Sequence, residues 1–185
     1  MSLNLIIRRG TLPLCLLLTF GLSSFTVGTP WKFTVDPSIS VAQWKLGDQT
    51  TFTTDIDTGY MHSMLGLYDG LLVFNLSEVN LYDLKKNTKI HHDLFETAKY
   101  PKCSLVIERG EYYGYRKYKT KGTLSVKGIT KPIQFVWKKT PVDTIKKTDE
   151  KFTTQFQIEN ASFGIKSPQP YTTLSISLKG NWFNY

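Results

Sequence analysis

Apolar and polar residues alternate along several short segments of the chain. In the segments 133–137, 152–158 and 174–179, apolar side chains recur at every second position and polar ones mostly fall between them. Similar segments lie at 32–35, 41–46, 50–56 and 70–76. Because successive side chains of a strand point to opposite faces of a sheet, this pattern predicts half-buried antiparallel strands. After residue 28, no segment has the period of a long amphipathic helix.

Turn-forming residues separate these segments. They are Asp36 with Pro37, Gly47 with Asp48, Asp69 with Gly70, Gly128, and Pro168 with Pro170. The polar stretch 141–151 is predicted to form a long hairpin loop between Trp137 and Phe152. Many short strands of this kind indicate an all-β barrel or sandwich, and a closed barrel removes the exposed strand edges that promote aggregation.

Residues 1–28 have the three-part plan of a secretion signal. Arg8 and Arg9 precede an apolar run at 12–25, and small residues follow it. The run is short for a membrane span, so we expect cleavage at the end of this segment and a mature domain at 29–185, outside the cytoplasm. An uncleaved N-terminal anchor is the alternative.

The composition supports a packed domain and argues against nucleic-acid binding. Hydrophobic residues make up 41% of the chain and aromatic residues 14%, which suits strands and the lining of a pocket. The net charge is +8, and it falls to +6 without the two arginines of the signal, since 21 lysines and arginines then face 15 acidic residues. Only two of those cations are arginines, the residue that nucleic-acid readers use for bidentate contacts. The excess of lysine fits a solvated surface or transient contact with an anionic membrane surface.

The sequence holds no recognised catalytic set. It lacks the GxSxG and HExxH motifs and a glycine-rich phosphate loop, so we expect no enzyme activity. The histidines are His62, His91 and His92, and neither His62 nor Cys103 is spaced to complete a metal site with the adjacent pair. We therefore expect no metal and no cofactor. Cys103 alternates with Leu105, which indicates a buried structural thiol.

The stretch HHDLFETAKYP at 91–101 is predicted to form a short helical turn near residues 93–98. Asp93, followed by Glu96 three residues later, has the pattern of a capping box. Phe95 and the leucine before it are the apolar residues that such a turn can place in a core. Pro101, at the end of the stretch, forces the chain to leave the turn in an extended conformation.

Three segments, in order, resemble the signatures of the YceI-like family. HHDLFETAKYPKCSLVI at 91–107 is similar to the family's turn that leads through KYP into a strand. KGTLSVKGITKPIQF at 121–135 resembles its hairpin with KG and TKP, and NASFGI at 160–165 resembles its DFGI corner. VDPSISVAQWKL at 35–46 also resembles the family's opening strand.

The resemblance is good over 91–179 and weak over 45–90. It implies a lipocalin-like antiparallel β-barrel in the bacterial cell envelope, periplasmic or secreted. It also implies a long isoprenoid or similar amphiphilic lipid, carried or buffered in an apolar lumen. From the alternation, the predicted lining residues are Trp44, Phe52, Phe74, Phe95, Leu105, Ile107, Leu124, Val126, Phe135, Trp137, Phe156, Phe163 and Ile176.

Two alternatives stay open at this point. Small eight-stranded barrels are either filled by side chains or hold one ligand, so the same residues fit a filled-core envelope or stress protein without a ligand. A lipid-modifying enzyme that uses His91 or His92 as an acid–base group is the other alternative. The sequence names neither the ligand nor the oligomeric state, for which a homodimer is one option.

We expect the mature chain to begin near Thr29, because the export machinery removes segments with the plan of residues 1–28. N-terminal sequencing of the protein isolated from cells checks this expectation. A variant with Arg8 and Arg9 both changed to glutamate loses the positive start and should accumulate unprocessed. A wild-type protein that retains residues 1–28 outside the cytoplasm would contradict the prediction and support an anchor.

Overall fold

The strands follow the alternating segments of the sequence. The computed structural model describes residues 30–47, 50–65, 67–141 and 149–184, so the signal predicted at 1–28 lies outside the described residues. Nine strands form within these ranges. They are β1 (Trp31–Val35), β2 (Val41–Leu46), β3 (Thr50–Met64), β4 (Leu67–Asn75), β5 (Lys102–Gly114), β6 (Lys117–Val126), β7 (Ile129–Pro141), β8 (Asp149–Glu159) and β9 (Tyr171–Asn184).

The strands form one antiparallel sheet that closes on itself. Neighbours pair in the order β3, β2, β9, β8, β7, β6, β5, β4, and β4 pairs again with β3. β1 and β2 share one position of the ring, since both pair with β3 on one side and with β9 on the other. The ring therefore has eight positions, and the expected antiparallel β-barrel is confirmed over a sandwich.

Local hydrogen bonds shape the break between β1 and β2. The Asp36 carboxylate accepts hydrogen bonds from the backbone N–H and the hydroxyl of Ser38, at 2.9 and 2.6 Å. A 3-10 turn (Pro37–Ile39) follows, and the proline ring fixes the backbone at its start. The hydroxyl of Ser40 accepts from the N–H of Lys179 in β9 and donates to its carbonyl oxygen. This side chain keeps the barrel wall continuous through the break.

Two glycines let neighbouring strands approach closely. A Cβ atom on Gly122 in β6 would overlap the carbonyl oxygen of Val106, and one on Gly180 in β9 would overlap that of Thr34. Only glycine has no side-chain atom at such a contact. These two positions are therefore set by the geometry of the backbone.

Apolar residues fill the interior in layers. In β2, buried and exposed residues alternate strictly, and Trp44 points inward with no accessible surface. Pairing of β4, β5 and β6 places Leu72, Leu105 and Leu124 side by side around the wall. These three leucines, called the middle layer below, also have no accessible surface. Aromatic residues lie on either side of the middle layer along the barrel axis.

The segment between β4 and β5 is helical. Helix α1 (Leu84–Thr88) continues directly into a π-helical stretch (Lys89–Leu94). Asp83 caps the start, because its carboxylate accepts a hydrogen bond from the N–H of Lys86 at 3.1 Å. Ile90 and Leu94 are the buried residues of this segment, so one face of the helix covers the barrel.

The helix lies earlier than the sequence predicted. Asp93 belongs to the last turn of the π-helical stretch, so the predicted capping box of Asp93 with Glu96 is wrong, and Asp83 has the capping role. A single turn does follow, in which the Glu96 carbonyl accepts hydrogen bonds from the N–H groups of Lys99 and Tyr100, both at 2.9 Å. The predicted burial of Phe95 is confirmed, since its ring has no accessible surface.

We expect Phe95→Ala to lower the free energy of unfolding by roughly 3–5 kcal/mol, as for other large-to-small changes in a core. The ring packs edge-on against Trp44 and Phe52, with 5.5 and 5.7 Å between ring centroids. Denaturant unfolding measures the loss. His92→Ala, exposed on the same stretch, is the matched control and should stay within about 0.5 kcal/mol of the wild type. A loss below about 1 kcal/mol for Phe95→Ala would contradict this packing.

Candidate functional site

Four aromatic rings fill the end of the barrel next to the helix. Trp44, Phe52 and Phe74 come from strands, and Phe95 comes from the turn after the helix. The Trp44 ring stacks on Phe52 and meets Phe74 and Phe95 edge to face. Its Nε1 donates a hydrogen bond to Oγ1 of Thr54 at 3.1 Å, so the buried indole is satisfied. The structure thus brings four predicted lining residues into one group, called the Trp44 cluster.

A second aromatic group fills the opposite end. Phe33 packs against Phe152 and Trp182, with ring centroids 5.1 and 5.3 Å apart, and Tyr68 contacts the latter two. We call these residues the Trp182 cluster. The sequence prediction missed all four as lining residues. Phe33 and Phe152 lie in the recognised alternating segments 32–35 and 152–158, so alternation was the available signal for them, whereas Tyr68 and Trp182 lie outside the recognised segments.

Polar side chains border the Trp182 cluster. Nε1 of Trp182 donates a hydrogen bond to the Glu150 carboxylate, which also pairs with Nζ of Lys139 at 2.6 Å. The Tyr68 hydroxyl donates to that of Tyr118 at 3.3 Å. Burial, with this hydrogen bond, raises the pKa of Tyr68, so the phenol stays neutral under physiological conditions. This end of the interior is therefore apolar in its centre and hydrogen-bonded at its rim.

The predicted lining residues are all buried except Phe156, which is half-buried. Ile107, Leu124 and Ile176 lie on the inward faces of their strands, as the alternation predicted. Val126 lies beside the β6–β7 turn, where it pairs with Ile129, and so sits at one end of the interior. Burial is common to a packed core and to the wall of a lumen, so ligand contact by these residues stays a prediction.

Backbone pairing between β7 and β8 covers only part of the two strands. Among the residues that the structure describes, the paired stretch runs from Lys138 opposite Thr153 to Pro141 opposite Glu150. Where the pairing stops, the rings of Phe135 in β7 and Phe156 in β8 stack with their centroids 5.1 Å apart. We call this opening the β7–β8 gap. The missing strand pairing explains why Phe156 is less buried than the alternation of β8 predicts.

Two cavities adjoin the β7–β8 gap. One of about 370 Å³ is lined by residues 131–134 of β7 and 156–159 of β8, together with Ser162 and Phe163 of the following corner. The other, of about 670 Å³, lies along β2, β9, β8 and β7 under the β5–β6 hairpin, and Thr154 is among its lining residues. The smaller cavity thus lies between the unpaired parts of the two strands, and the larger one is a groove on the outer face of the wall.

The three segments that resemble family signatures meet at one buried lysine. Nζ of Lys127, in the β6–β7 turn, contacts a carboxylate oxygen of Glu96 and the carbonyl oxygen of Gly164, both at 2.8 Å. All three residues have left-handed backbone, with φ values of 50, 52 and 62° for Glu96, Lys127 and Gly164. The hydrogen bond and charge of Lys127 lower the pKa of Glu96. These motif residues therefore join the turn, the hairpin and the corner.

The paired histidines have different surroundings. Nε2 of His91 donates to the carbonyl oxygen of Val79 at 2.8 Å, which leaves Nδ1 to accept from the hydroxyl of Thr97 at 2.9 Å. Both nitrogens of a neutral His91 ring are thereby engaged within the fold. His92 is exposed. The arrangement gives His91 a structural role as the link between the helix end and the segment before it.

The described ranges contain no group of three or more histidine, cysteine, aspartate or glutamate residues that could hold a metal ion. Cys103 is buried, as predicted, and burial raises the pKa of its thiol. A thiol in this state is a poor nucleophile, because the thiolate is the reactive form.

A closed antiparallel ring of eight positions, with an apolar interior and a short helix over one end, defines a lipocalin-type barrel. A sequence profile described as the YceI-like domain matches residues 32–180, including the region 45–90 where the signatures are weak. The chain belongs to the YceI-like family. No curated protein matched the chain. No helix within the described residues is long and apolar enough to cross a membrane.

Several solved structures share the fold at low sequence identity. BcnA of Burkholderia cenocepacia is 14% identical, with a TM-score of 0.64 over 80% of this chain and 99% of its own. A polyisoprenoid binding domain from Saccharophagus degradans, implicated in plant cell wall breakdown, is 16% identical, with a TM-score of 0.58 over 80% and 97%. The YCEI protein of Campylobacter jejuni is 22% identical, with a TM-score of 0.54 over 61% and 71%.

We expect Lys127→Met to destabilise the barrel by roughly 1–3 kcal/mol, because the Gly164 carbonyl loses its buried donor. Denaturant unfolding near neutral pH measures this loss, and Lys131→Met, on an exposed lysine of β7, is the matched control. An equal effect of the two changes would contradict the role of Lys127.

Acid should reduce the stability that the ion pair between Lys127 and Glu96 contributes to the fold. The lowered pKa of Glu96 means that its pairing with Lys127 stabilises the fold fully above the ordinary value of 4.5 and is lost as the pH falls through the lower folded value. The difference between the wild type and Lys127→Met should therefore shrink on acidification.

Proposed function

We propose that this protein is a non-catalytic envelope protein, periplasmic or secreted, that binds a long-chain isoprenoid or similar amphiphilic lipid inside the barrel as a carrier or buffer. The observation that carries the proposal is the closed wall, whose inward positions are mostly apolar around the ring. Membership of the YceI-like family supports it, as does the description of the Saccharophagus degradans structure as a polyisoprenoid binding domain.

The apolar interior supplies the driving force for such binding. Removing apolar surface from water gains about 25 cal/mol per Å², so a tail that buries roughly 200 Å² gains about 5 kcal/mol. The middle layer offers branched aliphatic side chains to the tail. Because Leu72, Leu105 and Leu124 have no accessible surface, a tail that reaches this layer must displace side chains that pack against them.

A filled barrel without a ligand is the second candidate. The close packing of the middle layer between the Trp44 and Trp182 clusters favours it, because side chains alone then complete the core. The two candidates differ in what the isolated protein contains. A carrier should retain a stoichiometric lipid, whereas a filled barrel should retain none and should take up neither long-chain quinones nor polyprenols.

We expect Leu105→Trp to reduce the lipid bound per protein while the β-sheet signal in circular dichroism is kept, because the larger ring occupies the middle layer. Leu124→Asp should reduce both binding and stability, since an unpaired buried charge is costly. Mass spectrometry of an extract of the purified protein measures the lipid. Val106→Trp, on the outward side of β5, is the matched control and should bind as the wild type does.

A wild-type protein that carries no amphiphile and binds none when it is added would contradict the carrier and leave the filled barrel. The same preparation tests the remaining alternative of a lipid-modifying enzyme. Turnover of the bound lipid, lost when His91 and His92 are both replaced, would show catalysis and contradict the non-catalytic proposal.

A further inference from the structure

Among the described residues, two buried polar atoms beside the β7–β8 gap have no hydrogen-bond partner. If the pairing of Lys138 with Thr153 continued by one step, Trp137 would face Thr154. Neither Nε1 of Trp137 nor Oγ1 of Thr154 forms a hydrogen bond with any part of the chain that the structure describes. The two residues are only 3% and 7% exposed. Backbone pairing between the two strands thus ends next to the two residues whose polar side-chain atoms have no hydrogen-bond partner among the described residues.

Such atoms are costly unless something binds to them. A buried donor or acceptor without a partner costs roughly 1–3 kcal/mol, and most buried polar side chains in proteins are hydrogen-bonded. The indole N–H can only donate, whereas a threonine hydroxyl can donate and accept. One atom that serves both residues must therefore be an acceptor, such as an oxygen.

The surroundings of the pair suit the polar end of an apolar molecule. Thr154 faces inward, and the larger cavity, a groove on the outer face of the wall, reaches its position from outside. On the other side, the half-buried ring of Phe156 lines the smaller cavity and stacks on Phe135. The Phe135 ring also meets the Trp137 ring edge to face at 5.6 Å. The pair is therefore flanked by aromatic surface, where an uncharged oxygen is favoured over a charged group.

We infer that the β7–β8 gap is the head-group site of the barrel, and that Trp137 and Thr154 bind the uncharged oxygen of an isoprenoid alcohol or quinone. This inference rests on the proposed lipid binding and adds the position and the chemistry of the polar end. The ligand passes sideways between the two strands, with its oxygen held at the gap and its tail directed into the interior.

The test compares two probes on delipidated full-length protein. One probe is geranylgeraniol, and the other is the matching hydrocarbon without the hydroxyl. Trp137→Phe and Thr154→Val should each weaken geranylgeraniol binding about tenfold, the equivalent of one hydrogen bond, and leave hydrocarbon binding unchanged. Trp31→Phe and Thr51→Val, on exposed residues, are the matched controls and should change neither affinity.

Thermal unfolding without ligand gives a second readout. Replacing an unpaired hydroxyl by a methyl group leaves a fold as stable as before or more stable, so Thr154→Val should melt at or above the wild-type temperature. A clear loss of stability would show that the hydroxyl has a partner within the fold, and would overturn the inference.

The outcomes separate this inference from the proposed function. If the wild type binds neither probe, the proposed lipid binding fails. If the wild type binds both probes equally well, lipid binding stands and the head-group site is overturned. The same conclusion follows if Trp137→Phe and Thr154→Val bind geranylgeraniol as the wild type does. Solvent would then be the partner of the Trp137 and Thr154 side chains.

Discussion

Closure of the sheet through the β3–β4 pairing is the constraint on which the rest of the barrel depends. Once the ring is closed, the two faces of every strand become an inside and an outside, and the strict alternation of side chains sorts apolar from polar residues around the whole wall. The enclosed space is then limited by the number of strand positions. Aromatic rings fill the two ends of the interior, around Trp44 and Trp182, and the leucines of the middle layer lie between them.

The β7–β8 gap is the exception to this closure, and polar contacts bound it at both ends. Where the two strands still pair, Lys139 meets Glu150, which also accepts the hydrogen bond from Trp182. Where the strands are apart, Lys127 joins the turn before β7 to Gly164 in the corner after β8. The opening is thus a bounded slot in a ring that is otherwise held together by backbone hydrogen bonds. These contacts hold the two strands together on either side of the opening.

Much of the wall could be predicted from the sequence, because alternation reports the inward face wherever a strand is paired on both sides. It correctly placed Trp44 and Ile176 inside, and it overestimated the burial of Phe156, which packs against the core but is half-buried. A period of two carries no information about a missing neighbouring strand. The helix was misplaced because its start at Asp83 is followed by lysines rather than by an apolar stripe. Lys127 escaped notice because a lysine in a hairpin is normally solvated, and only the folded chain brings the Gly164 carbonyl to it.

The glycines of the wall have a consequence for how such a barrel changes during evolution. At Gly122 and Gly180, the carbonyl oxygen of the neighbouring strand occupies the space of a side chain, so any mutation there disturbs the coil of the sheet whatever the barrel contains. Residues that face the interior or the gap carry no such restriction. A lineage that switches to a different cargo would therefore keep these two glycines and vary the aromatic residues. Shared glycines between distant relatives would therefore report the same wall geometry and would say nothing about a common cargo.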